Sequence, residues 1–211
     1  MSVKSDLAIQ YQKKTDKEHI LDNPDTYIGS VENVDTQGYV FDDTINGLVQ
    51  KQYYYIPGLY KLFDEAIVNC RDHAIRMKQA MASCKSNTIP LSLIDVSIGD
   101  DGTMSFMNDG NGIDIEKHPT YNTWIPEMIF AHLRTGTNYN KEEKKIVGGK
   151  NGFGAKLIFI WSVEGELETV DHVRGLKFTQ KYRNNLDIIE EPVIKKYRGK
   201  PYTKITFKPD F

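Results

Sequence analysis

The spacing of apolar residues predicts a long helix from about residue 57 to residue 81. Apolar side chains recur there at intervals of three and four, which is typical of a helix with one buried face. Pro57 suits the first turn, where its missing N–H breaks no helical hydrogen bond. A shorter helical stretch is predicted at about residues 125–133, and a second long helix at about 152–159. The apolar positions of the first helix are Leu59, Leu62, Phe63, Ala66, Ile67, Cys70 and Ile75.

Alternating apolar and polar residues predict a β-hairpin in the middle of the chain and more strands near its end. The hairpin runs from Ile94 to Phe106, with a turn at residues 100–102. The first 57 residues are rich in turn signals, with one turn at 43–47. We therefore predict an α+β fold: a mixed, mostly antiparallel sheet with long helices packed on one face, a two-layer sandwich. The later strand-like runs suggest a meander and cover residues 166–173, 176–183, 188–197 and 202–207.

Composition narrows the class of protein without changing this outline. The 211 residues suffice for one large domain or two small ones. With 39% hydrophobic and 27% charged residues, the chain is not collagen-like, low in complexity or disordered. The net charge of −2 excludes a basic nucleic-acid clamp by bulk charge but leaves a local basic patch open.

Cysteine, histidine and apolar content argue against zinc binding, secretion and membrane insertion. The two cysteines form no Cys-x-x-Cys pair and the five histidines are scattered, so no zinc site is predicted and the histidines are interpreted as ordinary surface or core residues. Low cysteine content suits a reducing compartment. No apolar run reaches membrane-spanning length, and the polar N-terminus lacks a signal-peptide core. We expect an intracellular protein with no membrane partner.

The first group of candidate site residues lies on one face of the long predicted helix. Glu65, Asn69 and Asp72 are separated by four and three positions, so they stack one above another. A glutamate there could deprotonate a water, and an asparagine oxygen could bind Mg²⁺. The same spacing is common on solvated helix faces and in capping networks, and taken alone it favours those alternatives.

The second group closes a predicted strand at residues 108–113. Gly110 and Gly112 permit positive φ angles and a close backbone approach, and Asn108 could hydrogen-bond to an adenine edge. Asn, Asp and Gly are also the residues of ordinary turns. Taken alone, this motif favours a plain strand-ending turn.

The third group is a glycine-rich loop before the second predicted helix. Residues 148–154 hold four glycines, and Lys156 follows two positions later. Backbone N–H groups of such a turn can bind an anion, and the lysine could contact a phosphate. Ala155 replaces the Lys-Ser/Thr of a Walker A loop, and the glycine spacing does not fit a dinucleotide-binding fingerprint. A flexible hinge is the alternative.

In this order, the three motifs together resemble the GHKL ATPases, a family that includes gyrase, type II topoisomerases, ATP-driven heat-shock chaperones, MutL and histidine kinases. The match is narrower still, because further strings are similar to the ATPase region of eukaryotic-type DNA topoisomerase II over nearly the whole chain. The resemblance implies the GHKL (Bergerat) fold. The strings lie at residues 11–20, 24–30, 57–65, 137–139 and 148–156.

The resemblance implies a role for each matching residue. Glu65 is expected to be the general base, Asn69 to hold Mg²⁺, Asp72 to support that helix face and Asn108 to contact the adenine. Tyr11 is expected to lie in a strap that reaches the partner's nucleotide. Sugar and phosphate contacts are expected from Gly136, Thr137 and Asn138, although the family often has Ser where Gly136 stands. The lid over the triphosphate is expected to comprise Gly149, Lys150, Asn151, Gly152, Phe153, Gly154, Ala155 and Lys156.

The resemblance also implies cofactors, partners and domains. ATP and Mg²⁺ are expected as ligands, a nucleotide-dependent homodimer as the assembly, and DNA as the partner of the full-length enzyme, in the nucleus or cytoplasm. Residues 1–25 are expected to form the N-terminal strap and 26–211 the ATP-binding domain of a longer enzyme. His73 stands where cellular members tend to have Asn, which suggests a divergent, viral member.

Two functional hypotheses remain open from the sequence. The chain is either the ATP-hydrolysing gate of a type II topoisomerase or a nucleotide-dependent dimerisation module with no turnover of its own. The family contacts the γ-phosphate with a lysine from a further domain, the transducer. We therefore expect the 211-residue chain to bind nucleotide weakly and to hydrolyse it slowly or not at all.

Overall fold

A computed structural model describes residues 14–133 and 153–211 of the chain. Its helices are α1 (Asp16–Asp22), α2 (Pro24–Tyr27), α3 (Pro57–Ala82), α4 (Ile125–Ala131) and α5 (Gly154–Ile160). Its strands are β1 (Val34–Asp42), β2 (Gly47–Tyr55), β3 (Ile94–Ile98), β4 (Met104–Asp109), β5 (Ser162–Asp171), β6 (Leu176–Arg183), β7 (Ile188–Ile189), β8 (Val193–Lys196) and β9 (Tyr202–Pro209).

The long helix α3 forms where the apolar spacing predicts it. Pro57 occupies the first turn, and Leu62, Ala66 and Cys70 turn one face into the core. Four-residue spacing places these buried side chains in one stripe. The positions next to this stripe face a cleft between the helix and the sheet.

The main sheet contains seven strands within the described ranges, in the order β3-β4-β9-β5-β6-β7, with β8 also paired to β6. Each of these pairings is antiparallel. The predicted meander is wrong in its pairing, because β9 inserts between β4 and β5 and the run 188–197 divides into β7 and β8. Alternation along a strand signals burial on one face, but it does not specify the neighbouring strand.

A separate hairpin, β1–β2, precedes α3. Its register runs from Val34 opposite Tyr55 to Asp42 opposite Gly47. The connecting residues coincide with the predicted turn at 43–47, which is confirmed. The two nine-residue strands themselves were not predicted, because polar residues interrupt their apolar pattern.

Helices α3 and α5 pack on one face of the sheet, against β4, β5 and β9. Helix α5 is seven residues long, so the prediction of a second long helix is wrong. Its last five residues are buried, and the chain passes at once into β5 at Ser162. Burial of a whole short helix produces a continuous apolar run, which sequence alone does not distinguish from one face of a longer helix.

Candidate functional site

A cleft of about 1070 Å³ opens between α3, the end of β4 and the start of α5. Its volume lies just above the range of roughly 300–1,000 Å³ that is typical of small-molecule sites. All the predicted site residues within the described ranges line it: Glu65, Asn69, Asp72, Asn108, Phe153, Gly154, Ala155 and Lys156. The others lie outside the described residues: Tyr11, Gly136, Thr137, Asn138, Gly149, Lys150, Asn151 and Gly152.

Glu65 stands at the end of the cleft where α3 meets α5. One carboxylate oxygen, Oε1, lies 2.8 Å from the ammonium of Lys61, one helical turn earlier. The other, Oε2, faces Gly154, where an added Cβ would lie 2.0 Å from it. Glycine at the start of α5 is therefore what allows the backbone to come this close to the carboxylate.

Asn69 and Asp72 continue the polar face of α3 along the cleft. The side-chain nitrogen of Asn69 is shielded from solvent and lacks a hydrogen-bond partner in the described structure. Buried polar atoms of this kind usually find a partner, so this N–H donor is suited to meet an acceptor on a ligand. Binding of Mg²⁺ would instead use the side-chain oxygen of Asn69. Asp72 is almost fully buried and accepts a hydrogen bond from Arg71.

The residues fit the expected Mg²⁺ in a limited way. Among the described residues, no group of three or more His, Cys, Asp and Glu is placed to hold a metal ion. Mg²⁺ is commonly held by one or two protein oxygens while phosphates and waters complete its shell. The amide of Asn69, beside the carboxylate-lined end of the cleft, is compatible with that arrangement.

The turn after β4 forms the wall of the cleft opposite α3, and several hydrogen bonds hold this turn in place. Asn108 is buried, and its amide donates a hydrogen bond to the Asp109 carbonyl. Asp109 accepts from the backbone N–H groups of Ser92 and Leu93, and Asn111 accepts from the N–H of Ile89. The segment therefore has the geometry of an ordinary strand-ending turn, and it also lines the cleft.

Two glycines of this turn are required by their surroundings. Gly110 has a φ angle of +90°, and a Cβ on Gly112 would lie 1.9 Å from the carbonyl oxygen of Val170. The N–H of Ile113 then donates to the hydroxyl of Thr169 in β5. The turn is therefore pressed against β5, which fixes the position of Asn108 and Asn111.

Lys156 places a nearly buried cation at the start of α5. Only 2% of the residue is exposed, and burial lowers the pKa of its ammonium to about 8. An anionic ligand in the cleft would offset that desolvation by favouring the charged form. The position and charge of Lys156 suit a phosphate group.

Sequence reasoning missed several polar side chains that line the cleft, among them Lys61 and His73. With Glu65 and Asn69 they form a series at intervals of four, so extending that spacing one turn in each direction would have found both. His73 is not an ordinary surface or core histidine. Burial, helped by the charge of Arg76, lowers its pKa to about 4, and its Nε2 atom lacks a partner in the described structure.

The architecture resembles solved ATPase domains. The 43K ATPase domain of gyrase B from Thermus thermophilus, solved with an aminocoumarin, is 20% identical to this chain and superposes on it with a TM-score of 0.59. The match covers 92% of this chain and 39% of the gyrase chain. At this identity the likeness concerns the fold alone. It defines the class of protein: the chain has the GHKL fold. No family model matches the chain.

Closer relatives narrow the class. DNA topoisomerase 2 of Acanthamoeba polyphaga mimivirus is 47% identical over 206 residues, and that of Saccharomyces cerevisiae is 45% identical over 203 residues. The matches span 96% and 95% of this chain but 16% and 13% of those relatives. The solved ATPase region of S. cerevisiae topoisomerase II bound to ICRF-187 (dexrazoxane) is 44% identical to this chain and superposes on it with a TM-score of 0.88. The match covers 96% of this chain and 51% of the solved yeast chain. The chain belongs to the type II DNA topoisomerase family and corresponds to its ATPase region.

Proposed function

We propose that the cleft binds Mg-ATP and hydrolyses it, and that the chain is the N-terminal ATPase gate of a type II DNA topoisomerase. The observation that carries this proposal is the convergence of three groups in one cleft of that family's fold: a carboxylate, an amide whose nitrogen has no partner among the described residues, and a buried ammonium. These side chains belong to Glu65, Asn69 and Lys156.

The chemistry follows from the placement of these groups. Glu65 takes a proton from a water as that water attacks the γ-phosphorus, and the bond between the γ-phosphorus and the bridging oxygen of ADP breaks. Lys156 stabilises negative charge on the phosphates from a nearly water-free position. Asn69 would hold Mg²⁺, which supplies neutralising charge to the phosphate oxygens when bound.

The remaining assignments extend the proposal to the whole enzyme. Residues 1–25 serve as the strap and 26–211 as the ATP-binding domain. Nucleotide binding brings two copies together as a homodimer, and that closure drives passage of a DNA segment in the intact protein. We place the protein in the nucleus or cytoplasm and, from its relative in mimivirus and the divergence at His73, in a large DNA virus.

Replacement of Glu65 by Gln tests the hydrolytic role and separates it from nucleotide-dependent dimerisation without turnover. In the full-length enzyme, we expect Glu65→Gln to reduce γ-phosphate release at least a hundredfold while a non-hydrolysable ATP analogue binds within about threefold of wild type, because the base acts mainly in the transition state. Phosphate release from radiolabelled ATP under protein excess measures the rate.

Glu191→Gln is the matched control, because Glu191 is exposed and lies outside the cleft lining. It should behave as wild type. Equal phosphate release by wild type and Glu65→Gln would show that the cleft binds nucleotide without Glu65-dependent hydrolysis, which favours the dimerisation module.

A further inference from the structure

His73 lines the cleft from α3, on the side of Asn69 that is farther from Glu65. A rise of about 1.5 Å per residue places it roughly 6 Å beyond Asn69 and roughly 12 Å beyond Glu65 along the helix axis. The phosphates of the proposed nucleotide lie near Glu65 and Lys156. The nucleoside half of that ligand therefore extends along the cleft towards His73.

The imidazole of His73 reaches across to the turn after β4. A Cβ on Gly110 would lie 3.3 Å from Nε2 of His73 and 3.4 Å from Leu91. Gly110 also has a φ angle of +90°, which favours glycine. The absence of a side chain at this position is therefore what lets the ring come close to the backbone of the turn.

The turn is held at two of its glycines. Gly112 is pressed against the carbonyl of Val170 in β5, and Gly110 faces the ring of His73 on α3. The first contact ties the turn to the sheet, and the second ties it to the helix. The two contacts together hold the cleft-lining side chains of this segment, Asn108 and Asn111, at a fixed distance from α3.

We propose that His73 is a positioning residue for the nucleoside end of the cleft, which sets the distance between α3 and the segment that carries Asn108 and Asn111. This inference rests on the proposed nucleotide binding. Nε2 of His73 is shielded from solvent, so the ring acts through the turn and not by touching the ligand. The amide side chains of the turn supply the hydrogen bonds to the nucleoside.

A direct contact between His73 and a phosphate is the alternative, and the charge of the ring argues against it. Burial, helped by the charge of Arg76, lowers the pKa of the imidazole to about 4, whereas a hydrogen bond with the Asn111 backbone and the charge of Asp109 oppose that shift. The ring is therefore neutral at physiological pH and offers a phosphate no charge. Both opposing groups belong to the end of β4 and its turn, which agrees with a ring that holds this segment.

The test compares two ligands of the 211-residue chain in the presence of Mg²⁺: a non-hydrolysable ATP analogue and inorganic tripolyphosphate, which lacks the nucleoside. His73→Leu keeps much of the bulk of the side chain but ends one bond short of the Nε2 position. We expect it to raise the dissociation constant of the ATP analogue about tenfold or more, because hydrogen bonds to the nucleoside are lost when the turn shifts. The dissociation constant of tripolyphosphate should stay within about threefold of wild type.

Two further variants make the comparison specific to this contact. His73→Gln should recover the affinity for the ATP analogue to within about threefold of wild type, because its amide extends as far from the backbone as Nε2 does. His73→Ala, which removes the ring altogether, should show the same difference between the two ligands as His73→Leu. Retained binding of tripolyphosphate shows that each variant is folded.

Lys78→Leu is the matched control, since Lys78 lies exposed on the same helix and outside the cleft lining. It should bind both ligands as wild type does. Unchanged affinity for the ATP analogue in His73→Leu and His73→Ala overturns the positioning role alone. Equal losses for both ligands, or a loss that His73→Gln does not recover, also overturn it. A wild type that binds neither ligand contradicts the proposed nucleotide binding as well.

Discussion

Burial sets the protonation of two cleft residues at the scale of single side chains. It lowers the pKa of His73 to about 4 and that of Lys156 to about 8. Both pKa values fall for the same reason, because each buried base loses the hydration that favours its charged form. The consequences differ: the histidine is neutral at physiological pH, whereas the lysine retains most of its charge.

The neutral state of His73 predicts a pH-dependent stability. As the pH falls from 7 to 5, the unfolded chain binds a proton at this imidazole near its ordinary pKa of 6.5, while the folded chain binds it only near 4. Stability is therefore lost as the pH falls. We expect His73 to contribute a loss of about 2 kcal/mol over this range.

Urea unfolding of wild type and His73→Asn at both pH values measures that contribution. The other four histidines, His19, His118, His132 and His172, are present in both proteins and cancel in the difference. The variant should lose about 2 kcal/mol less than wild type between pH 7 and pH 5. Equal losses would mean that His73 is protonated alike in the folded and unfolded chains.

At the scale of elements, the cleft depends on how the end of β4 meets β5. The glycine-rich turn at 110–112 approaches the backbone of Val170 more closely than any side chain would permit. This contact carries Asn108 and Asn111 to the wall opposite α3. The packing of this turn on β5, which β9 separates from β4 in the sheet, thus fixes the position of the wall opposite α3.

Gly112→Ala tests that packing. The added methyl group would lie 1.9 Å from the carbonyl oxygen of Val170, so the backbone must move. We expect a loss of about 3 kcal/mol in the free energy of unfolding, measured by urea denaturation.

Gly47→Ala provides the comparison, because the nearest atom to its new Cβ would be 3.7 Å away. It should change stability by less than about 1 kcal/mol. Similar effects of the two substitutions would show that the loss does not come from the contact with β5, because the lower backbone entropy of the unfolded chain favours Ala at both positions.

For the whole molecule, the cleft joins elements that lie far apart in the sequence. Helix α3, the end of β4 and the start of α5 each contribute lining residues. A ligand that contacts all three stabilises the folded chain by mass action, because the unfolded chain lacks the site.

Thermal unfolding with Mg²⁺ and a non-hydrolysable ATP analogue measures this stabilisation. At about one hundred times the dissociation constant, binding should add roughly 2.7 kcal/mol, a shift of roughly 5–10 °C for a domain of this size. Asn69→Ala should lose the Mg²⁺-dependent part of the shift.

Asn33→Ala is the control, since Asn33 is exposed and outside the cleft lining. It should retain the full shift. A Mg²⁺-dependent shift that survives in Asn69→Ala would remove Asn69 from the metal site, and a wild type that does not shift would contradict nucleotide binding by this chain.

Much of the site was predictable because it lies on one regular element. The positions of Glu65, Asn69 and Asp72 follow from the period of a helix, and the structure places all three in the cleft. Helix α3 and the β3–β4 hairpin form where the local patterns indicate them. These features depend on neighbours within a few residues, which a sequence displays directly.

The sequence by itself determined the helix face, the hairpin and the glycine turns, since local periodicity and turn chemistry specify them. Only the tertiary structure decided that β9 lies between β4 and β5, that α5 is short, and that Lys61 binds one oxygen of Glu65 while Gly154 confines the other. The physical reason is that strand pairing, burial and side-chain contacts depend on residues distant in the chain. Local spacing carries no information about which of those residues will meet.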